Sequence, residues 1–241
     1  LPLPELLQDI LDIGNKGMCC DIEIEFAVDL GENNEKNKFH FLQIRPMYVG
    51  EDLYEVKINR GEIDRAFCYS SKPLGHGTNN KIADIVYVKP ETFNTKDTRK
   101  IAGEISRINA RLNKEKKTYL LIGPGRWGSA DPWLGIPVRW EDISGVGAII
   151  ELRSEQLSCE ASQGTHFFQN ITAMGIKYLT VTENDAKLPD FINWQWLTSL
   201  ESLDETTYLR HVRLKSPFVI KVDSQTSQCV IFEADKQNPN K

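Results

Sequence analysis

"TYLLIGPGRWGSADPWLGIPV", residues 118–138, is the stretch on which the fold turns. An apolar run, Tyr119 to Ile122, reads as a strand. Gly123, Gly125 and Gly128 follow it at once in G-x-G-x-x-G spacing. In a dinucleotide-binding fold the third glycine opens a helix whose N-terminus faces the pyrophosphate. Here Pro132, Gly135 and Pro137 forbid a helix of useful length. A Walker loop ends in Gly-Lys-Ser/Thr, and Gly125-Arg126-Trp127-Gly128-Ser129 has no lysine. A rigid loop set by Gly and Pro at the end of a strand is what survives. Two readings of it stand. Gly123, Gly125, Arg126, Trp127 and Ser129 form an anion or ligand loop, with Arg and backbone N–H groups holding the anion and Trp stacking a ring. Alternatively the loop is packing, with Trp covering a core edge and Arg126 tied to Asp131 or Asp142.

The flanks of this stretch alternate strand and helix. "DIVYV", 84–88, reads as a short buried strand. Asn94 or Thr95 caps a predicted helix running to Asn113, with Ile101, Ile105, Ile108 and Leu112 on one face. "VGAIIELR", 146–153, and "IKYLTV", 176–181, read as strands. "THFFQNITAMG" between them reads as a helix ended by Gly175. "DFINWQWLTSL" is a short aromatic helix whose Trp residues belong to the core. "TYLRHVRL", "PFVIKVD" and "QCVIFEA" close the chain as three strands. The fold class expected is α/β, mixed α+β, with a mixed sheet in residues 51–234. Residues 48–83 give no periodic element, and "RLNKEKK" reads as a solvated helix end. Residues 235–241 read as a disordered tail.

Residues 1–50 have another character. "PELLQDILDIG" places Leu6, Leu7, Ile10 and Leu11 at helical spacing, with Gly14 as the expected stop. In "CDIEIEFAV" the acids alternate with Ile22, Ile24 and Phe26, and "FHFLQIRPM" alternates again after a polar turn. The two make a hairpin. Side chains two apart share a face, so Glu23 and Glu25 stand in one row and Gln43 and Arg45 in another. Carboxylate oxygens suit Mg²⁺, and an arginine fork suits phosphate. A solvated face of cross-strand charge pairs reads equally from the spacing.

"DIEIEFAVD…FHFLQIRPM" resembles the end of the ATP-binding domain of the phosphoenolpyruvate synthase and pyruvate phosphate dikinase family. The resemblance spans about residues 4–47. It implies an ATP-grasp-derived hairpin in which Glu25 and Gln43 help hold the nucleotide–Mg²⁺ unit and Arg45 contacts ATP phosphates. It implies a parent phosphotransferase that splits ATP and passes phosphate through a histidine to pyruvate. The partners implied are the nucleotide and the remaining domains of the parent. The family's preceding lobe, phosphohistidine domain and barrel have no counterpart in these 241 residues, so the chain alone is expected to be inactive. "SQGTHFFQN" lacks the paired glycines of the phosphohistidine motif, and His166 reads as structural. The alternative is a non-catalytic module that senses an anionic metabolite or docks a domain at the 123–133 loop.

Composition agrees with an ordinary globular chain: 40% hydrophobic, 26% charged and a net charge of −5. That balance argues against nucleic-acid binding, which needs clustered Lys and Arg. No apolar run approaches membrane-spanning length. The five cysteines form no C-x-x-C pair and suggest free thiols in a reducing, cytoplasmic setting. The four histidines show no ligand spacing. The chain opens without Met inside an amphipathic pattern, as expected of a piece of something longer.

Overall fold

A computed structural model describes residues 2–18, 22–31, 37–46, 55–153, 171, 175–183 and 189–234. The expected helix over 165–175 lies almost wholly outside them, as do His166, the 235–241 tail and Cys19, Cys20 and Cys159. The chain divides into two compact units, Leu1–Gly50 and Glu51–Lys241.

The first unit is a helix on a hairpin. Helix α1 (Leu3–Met18) continues through Gly14 rather than stopping there. Gly14 is buried: a Cβ on it would stand 2.3 Å from Ile22 Cδ1 and 2.7 Å from Ile44 Cδ1. The glycine is therefore a point of close approach, where helix and strands pack without an intervening side chain. Asn15 Oδ1 accepts the Ile22 N–H at 3.0 Å and anchors the start of the hairpin. Strands β1 (Ile22–Asp29) and β2 (Lys38–Pro46) pair antiparallel. β2 does not alternate cleanly: the register slips between Glu25 and Phe26, leaving Leu42 as the extra residue of a bulge. The slip is written in the sequence, because Phe39 and Phe41 are odd-numbered and Ile44 is even. Without a bulge these apolar side chains could not share the face of Ile24 and Phe26. Phe26 and Phe39 stack at 5.3 Å on that face.

In the second unit one segment that gave no periodic signal turns out to hold the sheet together. β3 (Cys68–Ser70) and β4 (Lys72–Leu74) are separated only by Ser71. The other strands of the sheet are β5 (Gly77–Val88), β6 (Tyr119–Pro124), β9 (Val146–Arg153), β10 (Lys177–Thr182), β11 (Phe191–Ile192), β12 (Ser202–Glu205), β13 (Leu209–Asp223) and β14 (Gln228–Glu233). They run in the order β11-β3-β14-β13-β5-β6-β9-β10-β4, with β12 on β13, in one mixed ten-stranded sheet. β5, β6, β9 and β10 are mutually parallel and form its centre. Because β3 pairs with β14 and β4 with β10, the stretch 68–74 closes the sheet on itself. Asp190 secures the junction, accepting the Ser71 N–H at 2.7 Å and the Thr182 N–H at 3.1 Å.

The central strands are buried on both faces, so they read as continuous apolar runs. Inside lie Ile85, Tyr87, Leu120, Ile122, Ile150 and Phe218. Outside, Val86, Leu121 and Ile149 pack under α3 (Thr98–Lys114) through Ile101, Ile105, Ile108 and Leu112. A 3₁₀ turn, Thr95–Asp97, precedes α3, and Asn94 caps it by accepting the Lys96 N–H. Two expected strands, "TYLRHVRL" and "PFVIKVD", are one 15-residue strand, β13. Its register shifts between Arg213 and Phe218, with exposed Lys215, Ser216 and Pro217 spanning the shift. Proline is tolerated there because no ladder donor is needed. The remaining described helices are short: α2 (Arg60–Asp64), α4 (Trp140–Ile143) and α5 (Trp194–Ser199). In α5, Trp196 stacks on Phe67 at 4.5 Å, as a core role requires.

Candidate functional sites

The hairpin places its polar residues in direct opposition. Glu25 pairs with Gln43, and Glu23 with Arg45. Glu23 and Glu25 are exposed on the face opposite buried Ile22. Cross-strand partners share a face, so the acid row and the Gln43/Arg45 positions meet in one patch that begins beside the bulge. Glu25 and the Gln43 carbonyl are both hard oxygen donors. Mg²⁺ is commonly held by one or two such groups, with phosphate and water oxygens completing its octahedron. The pair fits that role. Among the described residues no group of three His, Cys, Asp or Glu side chains gathers to cage a metal without help.

The loop after β6 is the second candidate. β7 (Arg126–Trp127) and β8 (Gly135–Ile136) form a parallel two-stranded ribbon within it. The three glycines have separate reasons. Gly123 leaves room for the Trp127 ring, whose Cζ2 would be 2.5 Å from a Cβ there. Gly125 and Gly128 take positive φ, 68° and 82°, which glycine adopts without strain. Four consecutive N–H groups are engaged internally. Gly125 donates to Leu152 O, Arg126 to Leu134 O, Trp127 to Glu151 Oε1 and Gly128 to Ile136 O. Trp127 is buried and donates its indole N–H to Ile150 O at 3.3 Å. Ser129 Oγ donates to Asp131 O at 3.1 Å, and Asp131 accepts the Trp133 N–H. Asp142 is bound by Arg139. The loop thus lays Trp127 over the sheet edge and spends its backbone donors doing so. The half-buried Arg126 side chain is the cation it brings.

Of the buried polar groups without a counterpart in the expected sites, two bear on the loop and on α3. Glu151 sits 2% exposed in an apolar strand, anchoring Trp127 N–H at 3.1 Å. Its signal was present, a lone acid in "VGAIIELR". The other is a network around Asp84. His211 Nε2 and Arg213 Nε both lie 2.7 Å from Asp84 Oδ1. Arg111 Nη2 lies 3.1 Å from His211 Nδ1 and Nη1 2.6 Å from Asp204. A guanidinium only donates, so His211 Nδ1 accepts and its proton sits on Nε2, facing Asp84. Burial by itself would push the Asp84 carboxyl up. The bonds from His211 and Arg213 outweigh it and hold the group below its ordinary value. The end of α3 is solvated as expected, with Arg111 exposed, and Arg111 also ties α3 to β12 and β13. No local signal could have found partners 127 residues apart.

Compared with family models, with curated proteins and with solved structures, the chain matches none. Among the described residues no helix is long and apolar enough to cross a membrane. The free thiols of Cys68 and Cys229 are buried, and burial pushes both well up. Neither is a poised nucleophile.

Proposed function

We propose that residues 1–50 supply the closing hairpin of an ATP-grasp nucleotide site in a cytoplasmic phosphotransferase of the phosphoenolpyruvate synthase and dikinase type, and that residues 51–234 form an accessory domain. The observation that supports this is the register: Glu25 opposite Gln43 and Glu23 opposite Arg45. In this reading Glu25 and Gln43 orient the nucleotide's metal and Arg45 binds a phosphate. Bound Mg²⁺ neutralises charge on the transferring phosphoryl group, and such catalysis is chiefly positioning and electrostatics. The hairpin's own work is geometric. Pairing to β1 fixes the backbone of Gln43 and Arg45, and the Leu42 bulge lets Phe39 and Phe41 share the face of Ile24 and Phe26.

The test is calorimetric titration of the 241-residue chain with Mg-ATP. Wild type should bind, and Glu25→Gln and Arg45→Ala should each weaken binding at least tenfold while Arg126→Ala leaves it unchanged. No binding, or binding indifferent to both hairpin changes, overturns the reading. Loss in Arg126→Ala alone moves the ligand to the 123–133 loop and makes the chain a metabolite-sensing module instead.

A further inference from the structure

We propose that the carboxyl-terminal edge of β9 and β10 binds the phosphate group of a small metabolite through Arg153 and Thr182, with Thr180 and Lys72 beside them. The site lies within the second unit and does not rest on the nucleotide reading.

The register gathers these residues. Thr182 pairs with Arg153, while Thr180 lies between Glu151 on one side and Lys72 on the other. Residues in register share a face of the sheet, and residues two apart do so as well. All five therefore belong to one face at one end of the strands. Thr180 is fully buried, and its hydroxyl is taken up by the Tyr178 phenol two residues before it. Beside it the half-buried Thr182 and Arg153 each bury a polar atom, Oγ1 and Nε, that has no hydrogen-bond partner. Buried polar atoms in folded proteins are nearly always paired. Two such atoms facing each other across one rung of the sheet mark a place built to bond something else.

The chemistry of that ligand follows from what the patch has left to give. The carboxylates nearby are already committed. Glu151 holds the Trp127 N–H, Asp190 holds the N–H groups of Ser71 and Thr182, and Glu183 accepts the Trp194 indole N–H. Burial pushes the neighbouring Tyr178 phenol far up, so it stays neutral. A guanidinium edge, the Thr182 hydroxyl and a lysine remain. A phosphate offers enough acceptor oxygens to take all of them, and arginine bonds it in a planar fork. The location fits too, since sheets with a parallel centre bind ligands beyond the carboxyl ends of their strands. The Trp127 loop rises from the adjacent strand, β6.

Inorganic phosphate is the probe. The intact chain is titrated by calorimetry at fixed ionic strength, beside Thr182→Val, Arg153→Met and Arg45→Ala, each checked for native far-UV circular dichroism. Saturable binding by wild type and Arg45→Ala, at least tenfold weaker in Thr182→Val and Arg153→Met, is the expected result. Arg153→Lys keeps the charge and loses the fork; it should bind at least several-fold more weakly, and it replaces Arg153→Met should that variant not fold. Absence of saturable binding, full binding by Thr182→Val, or loss confined to Arg45→Ala overturns the proposal. Displacement of phosphate by equimolar succinate overturns the assignment of phosphate over carboxylate.

Discussion

The two units bury their side chains very differently. In residues 1–50 Ile22 is the single buried hydrophobic side chain among those described, and Ile13, Leu30, Phe41 and Leu42 are 46–71% exposed. The second unit packs two large cores on opposite faces of one sheet, with a smaller third against α2. Its polar groups are buried in worked-out networks, whereas the first unit keeps its polar row exposed. The contrast teaches where each kind of function can sit. A thin unit is held by register and close approach, so surface substitutions should alter binding without unfolding anything. A deep unit is held by packing, so nearly every inward change is felt as stability first.

Four substitutions sharpen or break that contrast. Phe218→Ala should cost the second unit about 4 kcal/mol in denaturant unfolding, because the ring is wholly buried and packs edge-on to Phe67 at 5.8 Å. Amide protection in β1 and β2 should stay as it was. Asp84→Asn comes next, at about 3 kcal/mol, since it leaves the buried ends of two cationic or donor groups uncompensated. Its pH signature has a definite sign. A carboxyl held below its ordinary value contributes stability that is complete above the unfolded value, about 3.9, and disappears as pH falls through the lower native one. Urea midpoints from pH 7 down to 2 should lose that part of their acid limb in the variant. Gly14→Ala should cost about 1 kcal/mol, because the colliding atoms are the flexible tips of Ile22 and Ile44. Faster hydrogen exchange in β1 and β2 with an unchanged main melting transition would be its trace; a shifted main transition would break the two-unit picture. Glu25→Gln, on an exposed face, should change stability by no more than about 0.5 kcal/mol, and its effect should appear in Mg-ATP titration alone.

Legibility in the sequence followed locality. The central strands and α3 announced themselves because a run such as Tyr119–Ile122, or Ile101, Ile105 and Ile108 at helical spacing, carries its burial in its own pattern. The hairpin was legible for the same reason. β3 and β4 were not: six strand residues containing a serine, a lysine and a proline, bent at a further serine, Ser71, have no period to read. β5 was half legible, since its first part, Gly77–Lys81, is polar and largely exposed. Pro217 made one long strand look like two. At the sites, Glu25, Gln43 and Arg45 were found from alternation, and pairing aligned them. Arg153, Thr180 and Thr182 went unnoticed, because a lone Arg and two Thr at strand ends are ordinary until the register sets them side by side.

The clasp at Ser71 has a consequence for how the chain is made. Its seven residues are the first of the sheet to leave the ribosome, and they finish wedged between β10 and β14. They cannot take their final place until strands ending at Glu233 exist. The ring is therefore completed by its oldest link, and contacts of such long sequence separation are slow to form. Until then two raw strand edges stand open, on β10 and on β14, and each is a template for a neighbour's strand. A newly made chain is most exposed to wrong pairing in that interval, after β14 has formed and before β3 and β4 have settled against their partners.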